Sequence, residues 1–175
     1  MNVENKLDLI NFLQGCSIVI HGGTPFQLDV KDPKTELFDP TIKGTENFLD
    51  AIQQIAGIEK VIFIASVAAY NTNFPLPPAE EDSISETSEP FISEQSHPYA
   101  QAKFIANQTV NKFIADNHNL NYEIVSVSPV SVVGKSLSTR QDSTSSGLQF
   151  LFKNKIAPNP FVQMFYDKDP YFSVV

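Results

Sequence analysis

Three short apolar runs, at residues 17–20, 61–65 and 123–127, lie far apart in a chain of 175 residues, with a helical pattern between each and the next. They are rich in Ile and Val and nearly continuous in apolarity, as strands covered on both faces of a parallel sheet are. Between the first two runs, Ile42, Thr45, Phe48, Leu49, Ile52 and Ile55 recur at helical spacing behind the helix-start pair Asp39-Pro40. Ala102, Ile105, Ala106, Thr109, Val110 and Phe113 make a second apolar face. Leu7, Ile10 and Leu13 predict a shorter opening helix that ends at Gly15, where glycine adopts the left-handed terminating conformation. The order helix, strand, helix, strand, helix, strand, joined by right-handed crossovers, predicts an α/β fold: a doubly wound parallel sheet with helices on both faces.

At this length the chain is expected to be one soluble domain, since a chain of this size buries about 70% of its unfolded surface. A hydrophobic content of 42% with 14 Phe is globular. No apolar run approaches the roughly 18 residues needed to span a bilayer, so no membrane partner is expected. The opening Met1-Asn2-Val3-Glu4-Asn5-Lys6 lacks the basic start of a secretory signal. A lone cysteine, Cys16, forms no internal disulfide; it points to a reducing, cytoplasmic location and is expected in the core. A net charge of -8 disfavours a nucleic-acid surface, which needs clustered Lys and Arg against phosphates. Between Tyr70 and Lys103 there is no Lys or Arg, while Glu80, Glu81, Asp82, Glu86, Glu89 and Glu94 fall in that interval, which predicts a solvated acidic loop.

Two irregular stretches interrupt the alternation: 71–96, with Pro75, Pro77, Pro78 and Pro90, and 134–147, rich in Ser and Thr. In a doubly wound sheet both leave the carboxyl ends of strands, where ligands bind. Ser66 closes the second strand at that same end, and the next helix begins near Ser96-His97-Pro98, with Tyr99 and Lys103 four residues apart in its first two turns. A hydroxyl, a phenol and an ammonium therefore converge on one rim. Each alone has a plainer use: Ser66 as a small strand-closing residue, Tyr99 packed on the sheet, Lys103 solvated, and His97 as helix entry before Pro98. Together they suit hydride transfer to a carbonyl, with the phenol protonating the developing alkoxide and the serine hydroxyl holding the oxygen. Bringing a phenol from about 10 to near 7 takes about 4 kcal/mol. A cation about 4 Å away at an effective dielectric of 20 contributes roughly that much, so Lys103 is expected to lower the Tyr99 phenol.

These residues sit among others in an order that resembles a known family. Ile18-Val19-Ile20-His21-Gly22-Gly23-Thr24-Pro25-Phe26 is followed by Asp32-Pro33, Glu36-Leu37, Pro40 and Gly44-Thr45 with Asn47. Ser66, Tyr99 and Lys103 come next, and then Ser128-Pro129-Val130 with Val133-Gly134. The chain resembles the extended short-chain dehydrogenase/reductases of the NAD-dependent epimerase/dehydratase superfamily, in the dihydroflavonol-reductase-like branch that holds fungal aldehyde and ketone reductases. The resemblance implies a Rossmann-like fold and an NAD(P)-dependent reductase of small-molecule aldehydes or ketones, with NADP favoured over NAD. It implies Ser66, Tyr99 and Lys103 as catalytic residues, and cofactor contacts at His21, Gly22, Ala65, Tyr99, Lys103 and Pro129. The loops 71–96 and 134–147 would border the substrate.

The seven glycines, at 15, 22, 23, 44, 57, 134 and 147, never approach the G-x-x-G-x-x-G turn that holds a dinucleotide pyrophosphate. Set against the resemblance, residues 1–175 read as a partial nucleotide-binding domain without the first βαβ units and with the substrate domain largely missing. The strand at 17–20 would then have a bare edge, which invites self-association. Two alternatives accompany the reductase: a non-catalytic remnant that binds another protein through this edge, and a nucleotide-sugar epimerase or dehydratase. The Thr24-Pro25 and Asp32-Pro33 pairs, and the lack of an acidic residue adjoining Ser66, argue against the latter.

Overall fold

The structure, a computed structural model, describes residues 3–22, 30–70 and 84–130, together with 132, 150, 153 and 154. The chain divides into two compact units, Met1–Ser128 and Pro129–Val175. In the second unit, Asn154 donates from its backbone and side-chain amides to the Phe150 carbonyl at 3.1 and 2.8 Å, closing one helical turn.

The first unit opens with α1 (Lys6–Leu13). Asn5 caps it, its side-chain oxygen accepting from the amides of Leu7 at 3.1 Å and Asp8 at 3.4 Å. The helix ends as its sequence predicts, with Gly15 at φ 76°. Its inward pair is Leu9 and Leu13, while Leu7, expected inside, is exposed. Two ties set this roll: the Lys6–Asp50 ion pair at 2.9 Å and the bond from Asn47 Nδ2 to the Glu4 carbonyl at 2.8 Å. Cys16, expected in the core, is half-buried and packs against it.

Strand β1 (Ile18–His21) pairs in parallel with β2 (Lys60–Ile64), and β2 pairs in parallel with β3 (Glu123–Val127), giving the order β1-β2-β3. The third strand keeps its predicted bounds; the first two are displaced by one residue. The apolar runs read as strands covered on both faces, but β1 alternates, with Val19 and His21 buried and Ile18 and Ile20 exposed by 58% and 66%. The described helices account for this alternation. Leu9 and Leu13 of α1, Phe48, Leu49 and Ile52 of α2 (Asp39–Ile52), and Ala106 and Val110 of α3 (Pro98–Asp116) join Val19, Val61 and Phe63 in one core. Among the described residues the helical layer thus lies on one face of a parallel sheet.

The chain enters α2 earlier than Asp39-Pro40 predicts. Asp32 accepts from the Lys34 amide at 3.1 Å and the Thr35 hydroxyl at 2.7 Å, while Glu36 accepts from the Asp32 amide at 3.0 Å. A wide π turn, Lys34–Phe38, then runs into the helix. Pro40 cannot donate a backbone bond and its ring crowds the preceding turn; a π turn relieves that crowding. Gly44 faces Val3, whose Cγ2 would lie 3.3 Å from an added Cβ. Asp32, Glu36, Gly44 and Asn47, which carry part of the family resemblance, therefore serve helix entry and packing here.

The α3 face is rotated from the one its apolar periodicity predicts. Ala100, Ala102, Lys103, Ala106, Asn107 and Val110 are buried, while Ile105, Thr109 and Phe113 are only half-buried. The short alanine side chains allow close approach to the sheet. Of the two long irregular stretches, 71–83 and all of 134–147 lie outside the described residues, as do 23–29. Residues 84–96 form serine-rich turns, pinned where Gln101 Nε2 donates to the Ser96 carbonyl at 2.7 Å and the Phe91 amide donates to the Tyr70 carbonyl at 2.6 Å. Replacing the fully buried Ile52 with Ala should lower unfolding free energy by about 2–5 kcal/mol, the range for large-to-small core changes, read as a lower urea midpoint with the m-value unchanged.

Candidate active site

Strand β2 ends at Ile64, and the amide of the next residue, Ala65, donates to the Val127 carbonyl of β3 at 2.8 Å. The chain is therefore held until the residue before Ser66. Ser66 is extended (φ -167°, ψ 145°) and caps a 3₁₀ turn, Val67–Ala69, accepting from the Ala68 amide at 3.2 Å. The Ser66 oxygen is thus fixed at the carboxyl end of the central strand.

His97 caps α3 through Nδ1, which accepts from the Tyr99 amide at 3.2 Å, and Pro98 occupies the first turn. The histidine beside the site is therefore a helix-entry residue. Tyr99 follows at once, and its phenol hydrogen-bonds Ser66. One turn on, the Lys103 ammonium lies over the Tyr99 ring, 5.8 Å from its centroid. Lys103 is 7% exposed, and burial holds its ammonium below the usual lysine range. The structure thus brings together the three residues singled out on the rim.

The expected electrostatics are reversed in direction. Burial pushes the Tyr99 phenol above its ordinary value, and the Ser66 hydrogen bond opposes this in part. The predicted lowering rested on a cation about 4 Å from the phenol oxygen; the ammonium instead occupies the face of the ring. Desolvation of the phenolate, which no spacing argument weighs, dominates.

Sequence motifs did not reveal the polar residues of the interior. The buried polar residues among those described are His21, Thr41, Thr45, Lys103 and Asn107. Thr45 returns its hydroxyl to the Thr41 carbonyl at 2.7 Å, whereas the Thr41 hydroxyl and both His21 ring nitrogens find no partner among the described residues. Asn107 and Thr41 escape sequence reasoning because a polar residue on a helix reads as solvent-facing. Gly22 follows β1 at the same end of the sheet, and a Cβ added there would meet nothing within 4 Å. Ala65 is buried, and Pro129 opens the second unit.

The fold and rim together define a parallel α/β protein with a Ser-Tyr-Lys constellation at the carboxyl end of its sheet. Residues 1–170 match the model of the NAD dependent epimerase/dehydratase family, and the chain belongs to that family. It is 31% identical over 138 residues to cinnamoyl-CoA reductase CAD2 of Medicago truncatula, covering 78% of this chain and 41% of that protein. It is 29% identical over 133 residues to ketoreductase azaE of Aspergillus niger, covering 73% and 38%. The chain thus spans about two fifths of the length of these two curated relatives. The crystal structure of Gre2 from Candida albicans in complex with NADPH superposes with a TM-score of 0.73 at 23% identity, over 99% of this chain and 60% of that one. At that identity the likeness is one of fold. No described helix is long and apolar enough to cross a membrane.

His21 carries the site's pH signature. Burial first, and the Lys103 charge second, lower its imidazole from 6.5 to about 4, with the residue's own carbonyl opposing them. The unfolded chain therefore binds the extra proton between those values, and stability rises with pH through this window. The contribution is fully present above 6.5 and is lost as pH falls towards about 4. The shift is worth about 3 kcal/mol. Urea unfolding at a series of pH values should show this loss, and His21→Leu should flatten the slope between those limits.

Proposed function

We propose that this chain carries the carbonyl-reducing site of an NAD(P)H-dependent reductase acting on small aldehydes or ketones. The observation that carries this reading is the Ser66–Tyr99 hydrogen bond with the buried Lys103 ammonium over the same ring. The names of its relatives, a cinnamoyl-CoA reductase and a ketoreductase, favour reduction over sugar epimerisation or dehydration. So does Val67, which puts no carboxylate beside Ser66.

The rim's chemistry fits the nicotinamide end of a dinucleotide. A buried ammonium suits ribose hydroxyls, and the open space at Gly22 suits close approach to the backbone. Lys103 and Tyr99 would hold the ribose, with the backbone of His21, Gly22 and Ala65 beside it. Bound reduced nicotinamide supplies the hydride. The Ser66 hydroxyl donates to the substrate carbonyl oxygen, and Tyr99 gives that oxygen its phenolic proton as negative charge develops there. The phenolate left on Tyr99 regains a proton from solvent. A phenol held above its ordinary value stays protonated through neutrality, which is the form a reduction needs.

The test uses the whole chain, first shown to be folded and monodisperse. Isothermal titration with NADPH should show micromolar binding, and Tyr99→Phe should abolish aldehyde reduction while leaving binding within a few fold. No binding to the folded protein sinks the reductase reading. Tyrosinate absorbance, wild type minus Tyr99→Phe, should place the Tyr99 titration above about 10. A titration near neutrality would overturn the assigned electrostatics.

A second reading, a protein-interaction module, is favoured by the exposed Ile18 and Ile20 on β1, the terminal strand of the described sheet. Under it the chain self-associates. Sedimentation velocity should then show a mass that rises with concentration, and Ile20→Lys should return it to monomer.

A further inference from the structure

A cleft of about 370 Å³ opens among Gln53 and residues 116–122, at the end of α3 away from Tyr99. Tyr122 directly precedes β3, so the cleft lies at the amino end of the sheet, roughly 25 Å along α3 from Tyr99 at 1.5 Å per residue. Two helices end there. α2 stops at Ile52 and α3 at Asp116, and the residues that follow them are joined where Gln53 Nε2 donates to Asn117 Oδ1 at 2.9 Å. Asn117 in turn donates from Nδ2 to the Phe113 carbonyl at 2.8 Å. Neither helix has a basic residue in its last turn, and no Lys or Arg lines the cleft. Both helix ends therefore present their partial negative charge to it uncompensated. Asp116 adds a full charge, exposed and without an ion-pair partner among the described residues. A carboxylate at the carboxyl end of a helix opposes the dipole, so the fold gains nothing from this one. Asn119 and Asn121 bring further amide groups, and Tyr122 a buried hydroxyl with no partner among the described residues.

We propose that this cleft binds a small organic cation with a guanidinium head, with Asp116 as its counter-ion. Two converging helix ends and one unpaired carboxylate choose a positive ligand. A metal ion suits the lining less well, since no three His, Cys, Asp or Glu residues stand together as ligands among the described residues. A guanidinium spreads a single charge over five N–H donors in one plane, which matches one carboxylate taken in bidentate fashion among neutral amide oxygens. The volume lies at the lower end of that of small-molecule sites, which favours a free ligand over a side chain of another protein. The cleft and the rim occupy opposite ends of the sheet, so this assignment does not rest on the reductase reading.

The experiment follows the backbone amide resonances of the whole, isotopically labelled chain as butylguanidinium is added, with butylurea as its neutral isostere. Butylguanidinium should give saturable shifts confined to residues 116–122 and Gln53, with a Kd of about 1 mM. Butylurea should bind about tenfold more weakly, because it lacks the charge that strengthens each hydrogen bond. Asp116→Asn should weaken butylguanidinium about tenfold and leave butylurea unchanged. That variant should fold at least as well as the wild type, since it removes the charge that opposes the helix. Glu86→Gln, which removes the same charge from the turns before α3, should keep the wild-type Kd. Equal butylguanidinium affinities in wild type and Asp116→Asn overturn the proposal. So do shifts spread over the acidic surface, the mark of a cation drawn by the net charge of -8 alone.

Discussion

The rim depends on how α3 seats against the sheet. Ala100, Ala102 and Ala106 keep its inward face low, so the helix packs closely on α2 and on the turn that follows β2. At that approach a long residue one turn in has no solvent to reach, and Lys103 is buried with its ammonium against Tyr99. Burying an ammonium is expensive unless something compensates it, so the helix is not placed by apolar packing alone. The cation–π contact with Tyr99 offsets part of that cost. Larger residues at the alanine positions would lift α3, let Lys103 out to water, and take Tyr99 away from Ser66.

Position on the other side of the site comes from β2. As the central strand it pairs with β1 and β3, and the Ala65–Val127 bond carries that restraint one residue past its end. Ser66 then caps a tight turn with its own side chain. A loop serine would wander by ångströms, whereas one launched from a doubly paired strand does not. The Ser66–Tyr99 contact is therefore a junction between sheet and helix, each held by its own backbone network.

Much of this is legible in the sequence, and the failures share one physical cause. Elements appear where apolar periodicity is strong: β3 keeps its predicted bounds, and α1 stops at Gly15. Errors arise where a polar residue is buried or an apolar one exposed. A polar residue ends the apolar run that predicts β1, yet His21 belongs to the strand and is inside while Ile20 is outside. The α3 face departs from its apolar periodicity because Lys103 and Asn107 are inside, and the α1 face because Leu7 is outside. The spacing of Tyr99 and Lys103 shows that they meet; the sign of the phenol's shift depends on how much water the fold removes, which spacing does not encode.

The apolar and polar parts of this unit divide the work. The cluster around Leu9, Leu13, Phe48, Ile52, Val61 and Val110 contains no ionisable group and supplies the hydrophobic stabilisation. Along the flank where α2 and α3 face the end of β1, the interior turns polar, with Thr41, Thr45, His21, Lys103 and Asn107. A fold selected for stability alone would place leucine or valine at most of these. Polar groups kept inside at a cost, beside the one place where hydroxyl, phenol and ammonium meet, make sense when orientation of that ammonium is worth more than the stability given up. The apolar cluster is what makes such a trade affordable, since marginal domains lose their fold for a few kcal/mol.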